Sequence, residues 1–195
     1  MSEHEHSETE RLIRRWDEHA RRFDRWYETF EGAVEHQVEW ELLKEYLPRD
    51  KGARILDAAG GTGRITLPLA KMGYSVTLCD ISPAMLKVAR KKLLREGLLD
   101  KVQISECDVR KLRFADESFD FVLCWDGMIE AARELIRVTK KGGTVSIFLM
   151  NKYGAAINEF PEDPDSALAL LRSEPSYVHD EKEKHIAVTP EEAKR

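Results

Sequence analysis

One stretch constrains this chain more than any other: residues 53–64, Ala-Arg-Ile-Leu-Asp-Ala-Ala-Gly-Gly-Thr-Gly-Arg. A short apolar run ends near the acid Asp57, and Gly60, Gly61 and Gly63 follow at once. The pattern predicts a buried strand, a tight turn and the start of a helix, whose backbone N–H groups commonly face a ligand. Because a carboxylate and open N–H donors then share one small loop, we expect a ligand that carries both an ammonium and a carboxylate. This favours a cofactor with an amino-acid tail over a pyrophosphate.

The rest of the chain predicts an α/β fold. Two helices come first, at 8–30 and 34–47, with Val38, Leu42 and Tyr46 on one side of the second. The predicted strands then lie at 53–58, 75–81, 102–109, 119–125 and 144–151, and the helices between them at 64–72, 83–96 and 129–140. Gly142 and Gly143 are expected to end the last helix. Alternation of strands and helices predicts an open, mainly parallel, doubly wound (Rossmann-like) sheet with helices on both faces.

Three segments are expected within one globular domain: a helical cap at 1–48, an α/β core at 49–151 and a C-terminal segment at 152–195. In the last segment, 164–172 has a helical pattern and 185–188 the pattern of a short strand. Residues 189–192 have the pattern of a helix start only a few residues before the last one, which predicts that C-terminal strands are missing. If strand 144–151 is an edge, we expect the tail or a second copy to cover it, the latter giving a homodimer.

Composition excludes several classes of protein. The net charge of −5 argues against a dedicated nucleic-acid binder. The chain has neither an apolar run long enough to span a bilayer nor a signal-peptide pattern, so we expect a cytoplasmic protein. Charged residues make up 34% of the chain, whereas Asn and Gln together number four, a balance typical of thermostable proteins.

The cysteines, Cys79, Cys107 and Cys124, lack the paired spacing of a metal site. We therefore expect small buried hydrophobic side chains and no metal. The alternative is a redox or metal cluster, because each cysteine lies near the end of a predicted strand and those ends converge.

Acids recur at the predicted strand ends, where open α/β sheets bind their ligands. Asp80 follows the glycine loop by 17 residues, close to the spacing of an acid that binds ribose hydroxyls. Asp108 is placed to accept from an exocyclic amine such as that of adenine. Ile81, Met85 and Val109 are expected either to enclose the purine ring or to belong to the core. A nicotinamide dehydrogenase is disfavoured, because Thr66 stands where G-x-G-x-x-G requires its last glycine.

Four ordered motifs resemble the class I S-adenosylmethionine-dependent methyltransferases over about residues 50–151. Residues 55–63, Ile-Leu-Asp-Ala-Ala-Gly-Gly-Thr-Gly, resemble motif I of that family. The others are 80–86 (Asp-Ile-Ser-Pro-Ala-Met-Leu), 108–120 (from Asp-Val to Phe-Asp) and 137–143 (Arg-Val-Thr-Lys-Lys-Gly-Gly). The type 11, ubiquinone-biosynthesis-like subgroup is the most similar. Its N-terminal pattern Y-D-x-x-A-x-x-Y-D corresponds here to residues 16–24.

The resemblance implies S-adenosyl-L-methionine as the cofactor and assigns expected roles to site residues. Asp57 would organise the loop and the amino group, Asp80 would hold the ribose, and Asp108 with Val109 would bind adenine. Gly60, Gly61 and Gly63 would approach the methionine moiety, and the Trp125 carbonyl would accept from its ammonium. Ala59 stands where the family usually has its first glycine. No catalytic residue is assigned; the candidates for a base are His19, Asp126 and Glu130.

The acceptor is expected to be a small molecule. DNA is disfavoured, because neither an Asn/Asp-Pro-Pro-Tyr nor a Pro-Cys motif follows the fourth strand. RNA is also disfavoured, since an arginine-rich helix is most often a solvated face. Two alternatives stay open: an RNA or protein methyltransferase, and a non-catalytic cofactor-binding or assembly module. The second is favoured by the short segment between strands four and five, which usually lines the acceptor site in this family.

Overall fold

The computed structural model describes residues 3–20, 22–125 and 131–148, single helical residues at 165 and 168, and residues 177–180 and 183–186. The chain divides into two compact units, Met1–Ile147 and Phe148–Arg195. In the second unit, β6 (Tyr177–Asp180) and β7 (Glu183–Ile186) pair antiparallel. The strand expected at 185–188 overlaps β7, and the helix start expected at 189–192 lies outside the described residues.

Three N-terminal helices replace the expected two: α1 (Glu3–His19), α2 (Phe23–Trp26) and α3 (Phe30–Tyr46). The single helix predicted over 8–30 is therefore wrong. Thr29 is extended and caps α3, since its side chain accepts a hydrogen bond from the Gly32 N–H over 3.2 Å. A threonine satisfies the first N–H groups of a helix well, and here this cap begins a new helix inside the segment predicted as a single helix.

The first unit contains an open five-stranded sheet in the order β3-β2-β1-β4-β5, which confirms the predicted Rossmann-like class. The strands are β1 (Arg54–Ala58), β2 (Ser75–Asp80), β3 (Val102–Glu106), β4 (Phe119–Trp125) and β5 (Thr139–Phe148). Parallel pairing places Ala58 opposite Cys79, Asp80 opposite Glu106 and Asp57 opposite Leu123. The carboxyl ends of β1 to β4 therefore share one edge of the sheet.

Both faces of the sheet are covered, because successive strand residues point to opposite sides. Ile55, Leu78 and Leu123 pack in one cluster with side chains from α3, α4 (Thr66–Lys71) and α5 (Pro83–Arg95). Leu56 and Val122 pack in a second cluster, with side chains of α6 (Ala132–Val138). None of the helices in the described part of the chain is long and apolar enough to cross a membrane.

Three predicted boundaries are wrong: the end of the third strand, the end of the last helix, and the start of the fifth strand, which is predicted at 144 and lies at Thr139. The third strand ends at Glu106 rather than 109, because the Asp108 side chain accepts from the Arg110 N–H and caps a 3-10 turn over Val109–Lys111. The helix predicted over 129–140 ends at Val138, and Gly142 and Gly143 lie inside β5. A Cβ at position 143 would lie 2.8 Å from the Asp120 carbonyl oxygen, so this glycine permits close approach to β4.

Candidate functional site

The loop between β1 and α4 has a backbone that favours glycine. Ala59, Gly61 and Gly63 have φ values of 57°, 53° and 74°. Position 60 requires glycine for another reason. A Cβ there would lie 2.4 Å from Cδ1 of Leu78 and 2.6 Å from Cγ of Asp57, which is too close. Three left-handed residues within five positions turn the chain sharply from the strand into the helix. Ala59 is the exception, because it adopts this conformation with a side chain.

The N–H groups of the three glycines in this loop have partners within the protein. Gly60 donates to the Cys79 carbonyl over 3.1 Å, and Gly63 donates to the Gly60 carbonyl over 2.9 Å. Gly61 donates to Oδ2 of Asp80 over 2.9 Å. The expectation of open donors at these positions therefore does not describe this structure. The loop instead folds back on the end of β2 and is held there by Asp80.

Asp57 lies beneath the loop rather than on its surface. Its side chain is buried, and its Oδ2 accepts a hydrogen bond of 2.5 Å from the Thr66 hydroxyl at the start of α4. Burial raises the pKa of Asp57 to about 6, against the opposing effects of the Thr66 hydrogen bond and the Arg64 charge. This geometry lets Asp57 support the turn from below.

Asp80 joins the loop to α5. Its Oδ2 accepts from Gly61 and its Oδ1 from the Ser82 N–H, over 2.8 Å. Burial raises its pKa, while the hydrogen bonds from Ser82 and Gly61 oppose that shift. A carboxylate has about four lone-pair positions. The N–H groups of Gly61, Ser82 and Ile81 fill about three of them, so the group retains acceptor capacity for a hydroxyl of a ligand.

Met85 and Ile81 border this contact. Met85 is 2% exposed, and its Sδ lies 3.8 Å from the position that a Cβ on Gly61 would occupy. Ile81 is only partly buried. The structure thus brings Asp57, Gly60, Gly61, Gly63, Asp80 and Met85 into one contiguous cluster.

Asp108 has a different set of partners. Nε and one terminal nitrogen of Arg110 donate to its carboxylate over 2.7–3.1 Å, and the Arg110 N–H adds a further bond. Arg110 also donates to the Thr9 hydroxyl in α1, over 3.0 Å. Burial raises the pKa of Asp108, but hydrogen bonds and the charge of Arg110 outweigh it, so the pKa is lowered. Most acceptor positions on Asp108 are therefore taken by Arg110. Val109, beside it, is partly buried against the second core cluster.

Trp125 and His19, two further predicted residues, have hydrogen-bond partners outside the cluster. Nε1 of Trp125 donates to the Ser146 hydroxyl over 3.0 Å, which joins β4 to β5. His19 is exposed at the end of α1, with Nδ1 2.8 Å from the Arg15 carbonyl oxygen. Asp126 and Glu130 lie outside the described residues.

Two acids of the N-terminal helices reach this edge of the sheet and were not predicted as site residues. Asp17 accepts from the Ser82 hydroxyl over 2.6 Å and from the Ala84 N–H over 3.0 Å. Asp24 accepts from the Thr62 hydroxyl over 2.7 Å and forms an ion pair with Lys92 in α5 at 2.7 Å. The signal was present in the sequence: these are the two acids of the Y-D-x-x-A-x-x-Y-D pattern.

A third contact ties α3 to the loop through Arg64, which follows Gly63. Arg64 forms a buried ion pair with Glu39 at 2.6 Å and donates to Nδ1 of His36 over 2.9 Å. Its guanidinium lies 4.2 Å from the centre of the Tyr27 ring. Burial, and then the charge of Arg64, lowers the pKa of His36. The glycine loop is thus held by α2 and α3 as well as by β2, and α1 is held against the start of α5.

Two of the three cysteines are linked: Cys79 and Cys107 form a disulfide, and Cys124 is buried in the same core cluster. The expectation of three separate buried thiols is wrong for this pair, although both side chains are buried. Across the described residues, no group of three or more His, Cys, Asp or Glu side chains could hold a metal ion.

Comparison with known proteins gives a family match over the same part of the chain. Residues 55–143 match the profile of a family described as "Methyltransferase domain". A ubiquinone/menaquinone biosynthesis C-methyltransferase of Azotobacter vinelandii is 37% identical over 116 residues, which are 55% of this chain and 46% of that protein. The alignments with this protein and with similar curated proteins cover only 36–46% of the length of those relatives.

Solved structures share the fold. The PH0226 protein of Pyrococcus horikoshii superposes with a TM-score of 0.63 at 20% identity, over 85% of this chain and 80% of that one. The [4+2]-cyclase SpnF has a TM-score of 0.52 at 28% identity, over 55% of this chain and 42% of that one. The same fold therefore occurs in a protein that is named for a cyclisation.

Proposed function

Because residues 55–143 form a domain of the class I S-adenosylmethionine-dependent methyltransferase family, we propose that the chain binds S-adenosylmethionine and transfers its methyl group to a small molecule. The observation that carries this proposal is the contact between Gly61 and Asp80. It places a left-handed loop and a buried carboxylate with unused acceptor capacity side by side at the carboxyl edge of the sheet. Such an edge is where open α/β sheets bind their ligands.

The residues present fit this cofactor at two places. Asp80 would accept from the ribose hydroxyls, and the loop at 60–63 would lie against the methionine moiety, supported from below by Asp57. A Cβ on Gly61 would meet only ordinary contacts of 3.8 and 3.9 Å, to Met85 and Asp80. The conformation of this glycine, rather than tight packing around it, therefore explains its place.

Adenine recognition is proposed with one difference from the expected scheme. Because Arg110 occupies most of the Asp108 carboxylate, we assign the adenine contacts to the apolar surfaces of Ile81, Met85 and Val109. Asp108 would take part only when Arg110 releases it. The Trp125 carbonyl stays a proposed acceptor for the ammonium.

The bound cofactor supplies an electrophilic methyl group on a sulfonium. The protein then has to align the acceptor with that methyl group and exclude water, and it needs no strong general base when the acceptor is already nucleophilic. Asp17, Asp24 and Glu39 serve alignment in this scheme, since Asp17 fixes α1 to the start of α5 and the other two fix α2 and α3 to the loop. The named activity of the Azotobacter relative favours a carbon acceptor.

Calorimetry with S-adenosylhomocysteine tests the binding step. We expect one site per chain and an affinity at least tenfold lower in Asp80→Ala, because charge-assisted hydrogen bonds contribute about 1.5–3 kcal/mol. Asp120→Ala is the matched control: Asp120 is also a strand acid, but it bonds to Arg54 and Lys140 near the start of β4. Lack of binding by the wild type, or an equal loss in both variants, would refute the proposed site.

Turnover separates the enzyme from its alternatives. The wild type, given S-adenosylmethionine and a panel of phenolic, quinol and amine acceptors, is expected to release S-adenosylhomocysteine in proportion to methylated product. Binding without turnover on any acceptor, RNA and protein included, would favour a non-catalytic module. The short segment between the fourth and fifth strands is the observation that favours keeping this second candidate.

A further inference from the structure

The Cys79–Cys107 disulfide lies inside the proposed cofactor edge, and the proposed function does not use it. Cys79 is the last residue but one of β2, and Cys107 directly follows β3. Both side chains are buried, with exposed fractions of 0% and 9%. Their Cα atoms are 5.8 Å apart, a usual separation for a disulfide. Each cysteine directly precedes a strand-end acid, Asp80 or Asp108.

Backbone hydrogen bonds connect this cross-link to the glycine loop. The Cys107 N–H donates to the Asp80 carbonyl over 2.9 Å, and the Cys79 carbonyl accepts from the Gly60 N–H over 3.1 Å. Asp80 in turn holds Gly61 through its side chain. The two cysteines therefore contact the same backbone that would hold the ribose and the methionine moiety. A change in their spacing acts directly on Asp80 and Gly60.

We propose that the Cys79–Cys107 pair is a redox-dependent determinant of cofactor affinity, a statement that rests on the proposed function. The disulfide fixes the ends of β2 and β3 relative to each other, so the site is already ordered before the ligand binds. Pre-ordered sites bind more tightly, because less conformational entropy is lost on association. In the dithiol form only the backbone hydrogen bonds and the strand pairing hold the two ends together.

Formation of the disulfide requires only a low-molecular-weight disulfide such as oxidised glutathione. One cysteine thiolate attacks a glutathione sulfur, forms a mixed disulfide and releases one glutathione thiolate. The second cysteine thiolate attacks the protein sulfur of that mixed disulfide, which forms the Cys79–Cys107 bond and releases the second glutathione. The protein loses two electrons and two protons, and oxidised glutathione becomes two glutathione thiols.

The experiment compares the full chain after equilibration with oxidised glutathione and after reduction with a phosphine. Alkylation followed by intact-mass measurement counts the thiols: one in the oxidised form and three in the reduced form are expected. Calorimetry with S-adenosylhomocysteine is expected to show an affinity roughly three- to tenfold lower for the reduced form. The cross-link spans a sequence separation of 28 residues, so the thermal midpoint should also fall by several degrees on reduction, about 5–10 °C.

Variants separate the cross-link from a general effect of the reductant. Cys79→Ala and Cys107→Ala are expected to bind with the reduced affinity under both conditions. Cys124→Ala, which removes the other buried cysteine, is expected to keep the difference in affinity between the two forms.

Three thiols after oxidation, or equal affinity of the oxidised and reduced wild type, would overturn this proposal and leave the proposed function intact. Absence of binding in both forms would instead overturn the proposed function, and this inference with it. The wild-type comparison decides the matter even if an alanine variant fails to fold.

Discussion

The hydroxyl of Thr62 donates to Oδ1 of Asp24 over 2.7 Å, so the glycine loop is fastened to a helix that precedes it by 38 residues. Lys92 of α5 donates to the same carboxylate oxygen over 2.8 Å and to Oγ1 of Thr62 over 3.2 Å. Three separate segments therefore meet at one partly buried carboxylate. The position of the loop depends on the N-terminal helices as well as on the strand it leaves.

Replacement of Asp24 tests that dependence. Asp24→Ala removes an acceptor shared by a hydroxyl and an ammonium, and we expect a loss of about 1–2 kcal/mol in the free energy of unfolding. We also expect weaker binding of S-adenosylhomocysteine, because the loop is less ordered before the ligand arrives. Urea denaturation and calorimetry measure the two effects. Glu28→Ala, at an exposed acid near the end of α2, serves as the control. If the two variants behave alike, the Asp24 contacts do not position the loop.

Asp57 predicts a distinctive dependence of stability on pH. Its pKa in the folded state, about 6, is above the ordinary value of 3.8 for the unfolded chain, so the folded state holds its proton more tightly. The contribution of this group to stability is therefore complete below pH 4 and is lost as the pH rises through 6. A shift of this size corresponds to roughly 3 kcal/mol.

The variant Asp57→Asn isolates this effect, because an amide oxygen can still accept the Thr66 hydrogen bond but cannot ionise. We expect the variant to become more stable relative to the wild type, as measured by the free energy of unfolding, when the pH rises from 4 to 7. Chemical denaturation across this range measures it. A pH-independent difference would show that Asp57 does not titrate with a raised pKa.

The sequence located the strand-end acids because parallel pairing brings consecutive strand ends to one edge, and the registers of β1 with β2 and of β2 with β3 do so here. It did not predict what each acid contacts. Arg110 is two residues from Asp108, whereas Thr9, its other partner, is 101 residues away from Arg110. Local spacing contains no information about such a contact, which depends on how α1 lies against the sheet.

Helix α3 shows a second reason for failure. Its apolar residues recur at every fourth position, yet they are largely solvent-exposed: Phe30, Val34, Val38, Leu42 and Tyr46, at 47–80%. The buried face instead contains Glu39 and Leu43. Apolar periodicity predicts the inner face of a helix when hydrophobic burial decides its orientation. Here the ion pair between Glu39 and Arg64 lies on the inner face, and a charge in the sequence does not reveal its partner.

The buried pair of Arg64 and Glu39 gives a third prediction. Arg64→Leu removes a cation that lies 2.6 Å from the buried Glu39 carboxylate, and we expect a loss of about 3–5 kcal/mol. The double variant Arg64→Leu, Glu39→Leu removes both charges and is expected to recover most of that loss. Urea denaturation of the single and double variants measures the coupling. Lys71→Ala breaks the exposed pair with Glu96 and should have little effect. A double variant as unstable as Arg64→Leu would show that the ion pair itself, rather than the isolated charge, dominates.

Ala59 gives the last prediction, because its φ of 57° is left-handed and a side chain there is strained. The left-handed region costs a non-glycine residue about 1–2 kcal/mol, whereas glycine loses roughly 0.5–1 kcal/mol more entropy on folding. Ala59→Gly is therefore expected to stabilise the protein by about 0.5–1 kcal/mol, which urea denaturation would show as a higher midpoint.

Gly97→Ala provides the matched reverse substitution. The φ of Gly97 is 66°, nothing lies within 4 Å of the added Cβ, and stability should fall by a similar amount. If Gly97→Ala destabilises while Ala59→Gly has no effect, Ala59 does not hold the left-handed conformation in solution. S-adenosylhomocysteine affinity of Ala59→Gly then reports whether the strain serves binding: an affinity that falls while stability rises would show that the alanine is retained for the ligand.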